Sequence, residues 1–155
     1  MTTKGTLEYN IRNANGSWQG WRLLSQPGVT VKNASIAGMN DGSSQLIEVT
    51  SAGTLKHDIR NANGTWQAGG WASPGDFTGI AQASIAAMYG GVSEIVAVCT
   101  DGGLAYNARN LNGSWTDWTS FNTDAGGGDA ITSLSNVDLA GLSGGNSMVV
   151  AVSAG

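Results

Sequence analysis

An all-β fold, built of short antiparallel strands in repeated sheets, is what this sequence predicts, and three observations lead there. One block of residues occurs three times along the 155-residue chain, with its arginines at positions 12, 60 and 109. Within each block apolar and polar side chains alternate with a period of two, the pattern of a strand with one buried face. No stretch sustains the i, i+3, i+4 apolar spacing of an amphipathic helix. Glycine supplies the punctuation: it fills 24 of the 155 positions, about twice the usual share of roughly 7% and without the period of three that marks collagen.

The first block runs Gly5-Thr6-Leu7-Glu8-Tyr9-Asn10-Ile11-Arg12, turns at Asn15-Gly16 and continues through Ser17-Trp18. Leu7, Tyr9 and Ile11 fall on one strand face, and Glu8, Asn10 and Arg12 on the other. The second block runs Gly53-Thr54-Leu55-Lys56-His57-Asp58-Ile59-Arg60, then Asn63-Gly64-Thr65-Trp66. The third runs Gly102-Gly103-Leu104-Ala105-Tyr106-Asn107-Ala108-Arg109, then Asn112-Gly113-Ser114-Trp115. Asn-Gly suits the positive φ angles of a type I′ hairpin, so each Trp-bearing stretch is expected to pair with its Arg-bearing strand. A second pattern recurs between the blocks: Ala34-Ser35-Ile36-Ala37-Gly38-Met39, Ala83-Ser84-Ile85-Ala86-Ala87-Met88 and Val137-Asp138-Leu139-Ala140-Gly141-Leu142. Each precedes an apolar run, Leu46-Ile47-Glu48-Val49, Ile95-Val96-Ala97-Val98 or Val149-Val150-Ala151-Val152. These read as the two inner strands of each unit.

Four strands per unit of about 48–49 residues, with an aromatic motif in each, is the cue for a β-propeller of four-stranded antiparallel blades. Residues 1–155 thus form a single propeller segment of three blade-equivalents. One of these is composite, taking strands three and four from residues 1–27 and strands one and two from 130–155. Closed propellers typically have four to eight blades, and half-blades leave open sheet edges. A homo-oligomeric ring is therefore expected. Two copies give 2 × 3 = 6 blades, the preferred closure, and a trimer gives nine. A twelve-stranded sandwich is the alternative, but it gives no reason for three copies to match in order and spacing.

The repeated string G-x-L-x-[YH]-x-I-R-x-A-x-G-[ST]-W resembles the repeats of tectonin-type and Photorhabdus-lectin-type β-propellers of bacteria. The resemblance spans nearly the whole chain and implies a sugar-binding protein, with fucose or methylated sugars held in pockets between neighbouring blades. Members of that group generally carry more blades in one chain. The third copy departs furthest, with Ala108 in place of isoleucine and a glycine-rich insertion, Asp124-Ala125-Gly126-Gly127-Gly128-Asp129.

A sugar offers an apolar C–H face and a rim of hydroxyls, so its site needs a flat aromatic surface and planar hydrogen-bonding groups. Trp18, Trp66 and Trp115 follow the three turns, with Trp21, Trp71 and Trp118 a few residues on. Each offers a large face and one indole donor. Arg12, Arg60 and Arg109 carry five donors in a fixed fork, and Asn10, Asp58 and Asn107 share their strand face. Tyr9, His57 and Tyr106 lie on the opposite face, where an adjacent blade can meet them. These fifteen residues are the candidate glycan-binding set. The same tryptophans also fit blade-packing positions, and the arginines also fit an interior polar network. A structural or protein-interaction propeller without sugar affinity, including a designed or evolutionary fragment of a longer one, is the second functional reading.

Other chemistries find little support. The net charge is −4, from 11 acidic and 7 basic residues, and no basic stripe is present to engage nucleic-acid phosphates or anionic lipid. His57 and Cys99 are the only residues of their kinds. They leave no catalytic triad, no zinc ligand set and no intrachain disulfide. No carboxylate recurs in all three copies, as a repeated glycosidase pair would require. Neither enzymatic activity, a metal nor a cofactor is expected. No apolar run approaches a membrane span, and the first residues lack a signal-peptide pattern, so cytoplasmic residence or unconventional release is expected. The Asn-x-Ser/Thr sequences at Asn15, Asn63 and Asn112 are read as turns rather than glycan acceptors.

Overall fold

The computed structural model describes residues 5–24, 26–121 and 133–153. They form eleven strands: β1 (Glu8–Tyr9), β2 (Arg22–Leu23), β3 (Val31–Gly38), β4 (Ser44–Thr50), β5 (Leu55–Arg60), β6 (Ile80–Ala87), β7 (Ser93–Cys99), β8 (Leu104–Arg109), β9 (Thr119–Phe121), β10 (Leu134–Gly141) and β11 (Ser147–Ser153). Two single 3-10 turns, Tyr89–Gly91 and Ser143–Gly145, join β6 to β7 and β10 to β11. All sheet pairing is antiparallel, in four sheets: β1-β2, β3-β4-β5, β6-β7-β8-β9 and β10-β11. These are sheets 1 to 4 below. The fold is all-β. Among the described residues no helix is long and apolar enough to cross a membrane.

The repeat read in the sequence is a repeat of structure. Ser35 pairs with Ile47 in sheet 2, Ser84 with Val96 in sheet 3, and Asp138 with Val150 in sheet 4. All three inner pairs also carry a register shift at one repeat position, between Val31 and Asn33, Ile80 and Gln82, and Leu134 and Asn136. Such a bulge sharpens the local twist. Sheet 2 departs from the four-strand expectation. After Trp66 the chain leaves the sheet through Gly69 and Gly70, both at positive φ. It returns only at Ala72, which exchanges two hydrogen bonds with His57. The Ala68-Gly69-Gly70 spacer thus replaces a continuous outer strand with isolated bridges. The insertion at 124–129 lies outside the described residues.

Sheets 2, 3 and 4 stack face to face through two apolar layers. Ile47, Val49 and Leu55 of sheet 2 meet Ile80, Ile85 and Ile95 of sheet 3. On the far side of sheet 3, Val96 and Val98 meet Leu134, Val137 and Leu139 of sheet 4. Each such aliphatic side chain contributes about 1.5–3 kcal/mol when fully buried.

A polar ladder runs beside these layers. Asn33 Oδ1 accepts from the Ala83 amide at 2.9 Å, and Ser35 Oγ from the Ile85 amide at 3.2 Å. One step on, Gln82 Oε1 accepts from the Val137 amide (2.7 Å) while its Nε2 donates to the Val137 carbonyl (2.9 Å). Ser84 Oγ accepts from the Leu139 amide at 3.2 Å. Asn33 and Gln82 occupy one repeat position, and Ser35 and Ser84 another. The block-opening glycines complete each junction: the carbonyls of Gly5, Gly53 and Gly102 accept from the amides of Val31, Ile80 and Leu134. Gly102 has φ +84, and a Cβ there would lie 2.8 Å from the Ser133 Cα.

Candidate functional site

The hairpins set the arginines. In each copy the loop has three central residues rather than two. Gly16, Gly64 and Gly113 have φ of +89, +87 and +88, whereas the preceding asparagines are not at positive φ. The expected type I′ geometry is therefore corrected. The amide of Gly16 donates to Asn13 O, and that of Asn13 to Ser17 O, with the same pairs at 61–65 and 110–114. This is a type I turn closed by a glycine bulge. The asparagine instead caps the loop. Asn15 Oδ1 accepts from Ser17 N and Oγ, and Asn63 and Asn112 do the same for Thr65 and Ser114. The Asn-Gly-Ser/Thr sequence is thus accounted for by turn chemistry. Each arginine lies over its own turn: a Cβ on Gly16, Gly64 or Gly113 would meet Arg12, Arg60 or Arg109 Nη2 at 3.4, 2.9 or 3.1 Å.

The aromatic positions join neighbouring sheets. Tyr9 of sheet 1 meets Trp66 edge-on at 5.5 Å between centroids, and His57 of sheet 2 meets Trp115 at 5.1 Å. Tyr106 contacts Phe121 within its own sheet. Trp115 and Trp118 pack against the core between sheets 2 and 3. Trp118 also stacks on Phe77 at 4.8 Å, its Nε1 enclosed without a hydrogen-bond partner. Trp71 is half-buried, whereas Trp18 and Trp21 are exposed.

The polar positions differ by copy. Asn107 is fully buried, donating to Pro74 O at 2.8 Å and accepting from Thr116 Oγ1 at 3.2 Å. Asp58 is buried, and desolvation raises its pKa, although its Oδ1 accepts from the Ile59 amide. Asn10 is half-buried, with its Oδ1 enclosed and without a partner. His57 is buried, and its Nε2 lies 3.0 Å from Gln45 Oε1, which also accepts from Ser93 Oγ at 2.7 Å. Burial, and secondarily the Arg109 charge, lowers the His57 pKa to about 4. The ring is therefore neutral at pH 7 and donates through Nε2.

Among the described residues, two of the clefts between sheets hold candidate residues. The larger, about 470 Å³, lies between sheets 2 and 3 and is lined by Met39, Asn40, Asp41, Ser43, Gln45, Ile59, Asn61, Ala62, Gly90, Gly91, Arg109 and Leu111. Asp41 accepts from Ser43 N and Oγ, which lowers its pKa and keeps it ionised. The second, about 280 Å³, lies between sheets 1 and 2 and gathers Tyr9, Asn10, Ile11, Arg12, Ile36, Ser44, Leu46, Arg60 and Trp66. The structure thus brings five candidate residues together in the smaller cleft and Arg109 alone into the larger. Trp18, Trp21, Trp71, Trp115, Trp118, His57, Tyr106, Asp58 and Asn107 line neither. Asn40, Asp41, Asn61 and Leu111 escaped the sequence reading. Only Asn61 carried a signal, since Asn13, Asn61 and Asn110 each follow the repeated arginine. Among the described residues no cluster of three or more His, Cys, Asp or Glu side chains is placed to hold a metal. Compared with protein-family models and with curated proteins, the sequence matches none.

Proposed function

We propose that sheets 2 and 3 are blades of a β-propeller and that the two-stranded sheets 1 and 4 are half-blades, joined between copies of the chain to close the ring. We further propose that the protein is a non-enzymatic lectin holding glycans in the clefts between blades. The propeller reading is supported by the recurring junction, in which β3, β6 and β10 succeed one another through the same polar ladder. The observation that carries the sugar reading is the larger cleft. There Arg109, Asn40, Asn61 and ionised Asp41 set donors and acceptors beside apolar Met39, Ile59 and Leu111. That combination matches a ligand with a hydroxyl rim and a C–H face, and the cleft's volume is that of a small-molecule site. Repetition around a ring adds avidity: weak sites engaging one glycan-bearing surface together raise apparent affinity by roughly 10² to 10⁴.

The test is a glycan array followed by titration of the best ligand, with fucose and methylated sugars tried first because the repeat resembles those of lectins that bind them. Arg109→Ala should weaken binding about 10-fold or more, given that a hydrogen bond to a charged group is worth about 1.5–3 kcal/mol, and Asn61→Ala, which removes a neutral bond worth about 0.5–1.5 kcal/mol, about 2- to 10-fold. Unchanged binding in both variants overturns the assignment of the cleft. A structural or protein-interaction propeller is the second reading. It is favoured by the packing of Trp115 and Trp118 on the core and by the internal bonding of His57 and Asn107. A blank array from folded, assembled protein would select it.

A further inference from the structure

We infer that the smaller cleft is a docking site for a second copy of this chain, filled by Met148 and Val150 of that copy's β11. The inference rests on reading sheets 2 and 3 as blades and sheets 1 and 4 as half-blades, and it follows from comparing equivalent positions. Between sheets 2 and 3, the space bounded by His57, Ser93 and Trp115 is occupied by Gln45 of β4, hydrogen-bonded to the first two. Between sheets 1 and 2, the same positions are Tyr9, Ser44 and Trp66, and the space between them is the open 280 Å³ cleft. The repeat-equivalent of Gln45 is Met148, followed two residues on by Val150, and both are exposed in the single chain. An apolar pair thus stands ready for a cleft whose further lining includes Ile36 and Leu46.

The exposed faces match as the internal junctions do. Ile47 and Val96 are 0% exposed where the next sheet covers them, whereas Val150, at the same position, is 54% exposed. Conversely Ile85 and Leu139 are 3% and 8% exposed under the preceding sheet, while Ile36 is 62% exposed. The polar ladder continues as well. Asn136 stands where Asn33, then Gln82, reaches the next inner strand, and its target in a second copy is the main chain of Ala34. Asp138, at the position of Ser35 and Ser84, instead has its Oδ1 turned back to Ser84 Oγ and the Leu139 amide. The same step sets Tyr106 of one copy toward exposed Trp18 of the next, continuing the Tyr9–Trp66 and His57–Trp115 pairs. The contact is head-to-tail, one face meeting a different face.

Native mass measurement on the purified 155-residue chain tests this. The wild type should run as a multiple of its 15.8 kDa mass. Val150→Asp and Ile36→Asp should each be monomeric, because a buried unpaired carboxylate breaks the contact. Both positions are exposed in the single chain, so its fold should persist, as far-ultraviolet circular dichroism will show. An equimolar mixture of the two variants retains one intact pair of faces and should form a two-chain species. A monomeric wild type overturns the inference, since the faces then belong to some other occupant. Ile36→Asp at the wild-type mass also overturns it, by showing that the contact lies elsewhere or is symmetric. Glycan binding on the same samples separates the two proposals, because the larger cleft lies within one chain. A monomer that binds sugar removes only the assembly, and an assembled chain blank to sugars removes only the lectin.

Discussion

His57 and Glu48 lie on neighbouring strands of sheet 2, both buried, and burial acts on them with opposite sign. The His57 pKa falls from 6.5 to about 4. A base depressed in the fold contributes stability that is complete above pH 6.5 and lost as pH drops through 4. At about 1.4 kcal/mol per pH unit, the loss is of order 3 kcal/mol. His57→Tyr, which installs the residue found at positions 9 and 106, should flatten this acid slope in urea unfolding at pH 7, 5.5 and 4. Glu48 has both carboxylate oxygens enclosed without a hydrogen-bond partner, and desolvation raises its pKa. A raised acid contributes stability below its ordinary pKa that is lost as pH rises through the raised value. Glu48→Gln should therefore melt a few degrees higher than wild type at pH 7–8 and gain nothing at pH 4. The sequence revealed Glu48 as the exception to Ala97 and Ala151. It did not reveal that the carboxylate is sealed, because that depends on the neighbouring sheet.

At the level of elements, alternation and glycine made the inner strands and hairpins legible, down to the pairing of Arg12 with Trp18. The turn type was not, because Asn-Gly suits a two-residue loop on its own. Only the pairing of Asn13 with Ser17 shows that three residues lie between. The glycine requirement survives that correction. Gly64→Ala forces a side chain to φ +87 and to 2.9 Å from Arg60 Nη2. The left-handed backbone alone costs about 1–2 kcal/mol, so thermal unfolding should fall by several degrees. The fourth strand expected in sheet 2 is interrupted because Gly69 and Gly70 both take positive φ. The larger cleft stayed hidden for a related reason. Asp41 aligns with Gly90 and Gly144, and a loop residue that does not recur leaves no periodic trace.

Across the whole molecule, order resides in the junctions between sheets. Gln82 carries two of the bonds linking sheet 3 to sheet 4. Gln82→Ala leaves the Val137 amide and carbonyl without their partner, at about 1–3 kcal/mol for such a loss. Hydrogen exchange should show β10 and β11 opening ahead of sheets 2 and 3, while β6–β7 protection holds. Uniform loss of protection would instead mean that the sheets unfold as one unit.

The ladder is also asymmetric in what it demands of its two sides. The reaching group is a specific side chain, Asn33, Ser35, Gln82 or Ser84, and the bond each repeats is to main chain, which every residue except proline supplies in full; Ser84 adds a bond to the Asp138 side chain. Ala83 and Val137 receive equally well despite their different sizes. Positions met only through main chain are thus free to drift in sequence as long as volume is respected, whereas Asp138 and Ser93, bonded through their side chains to the preceding sheet, are held. The third copy has diverged furthest and still holds its place in the series. Selection can then reshape one cleft at a time, altering loop residues such as Asp41 while the register that spaces the clefts is inherited unchanged.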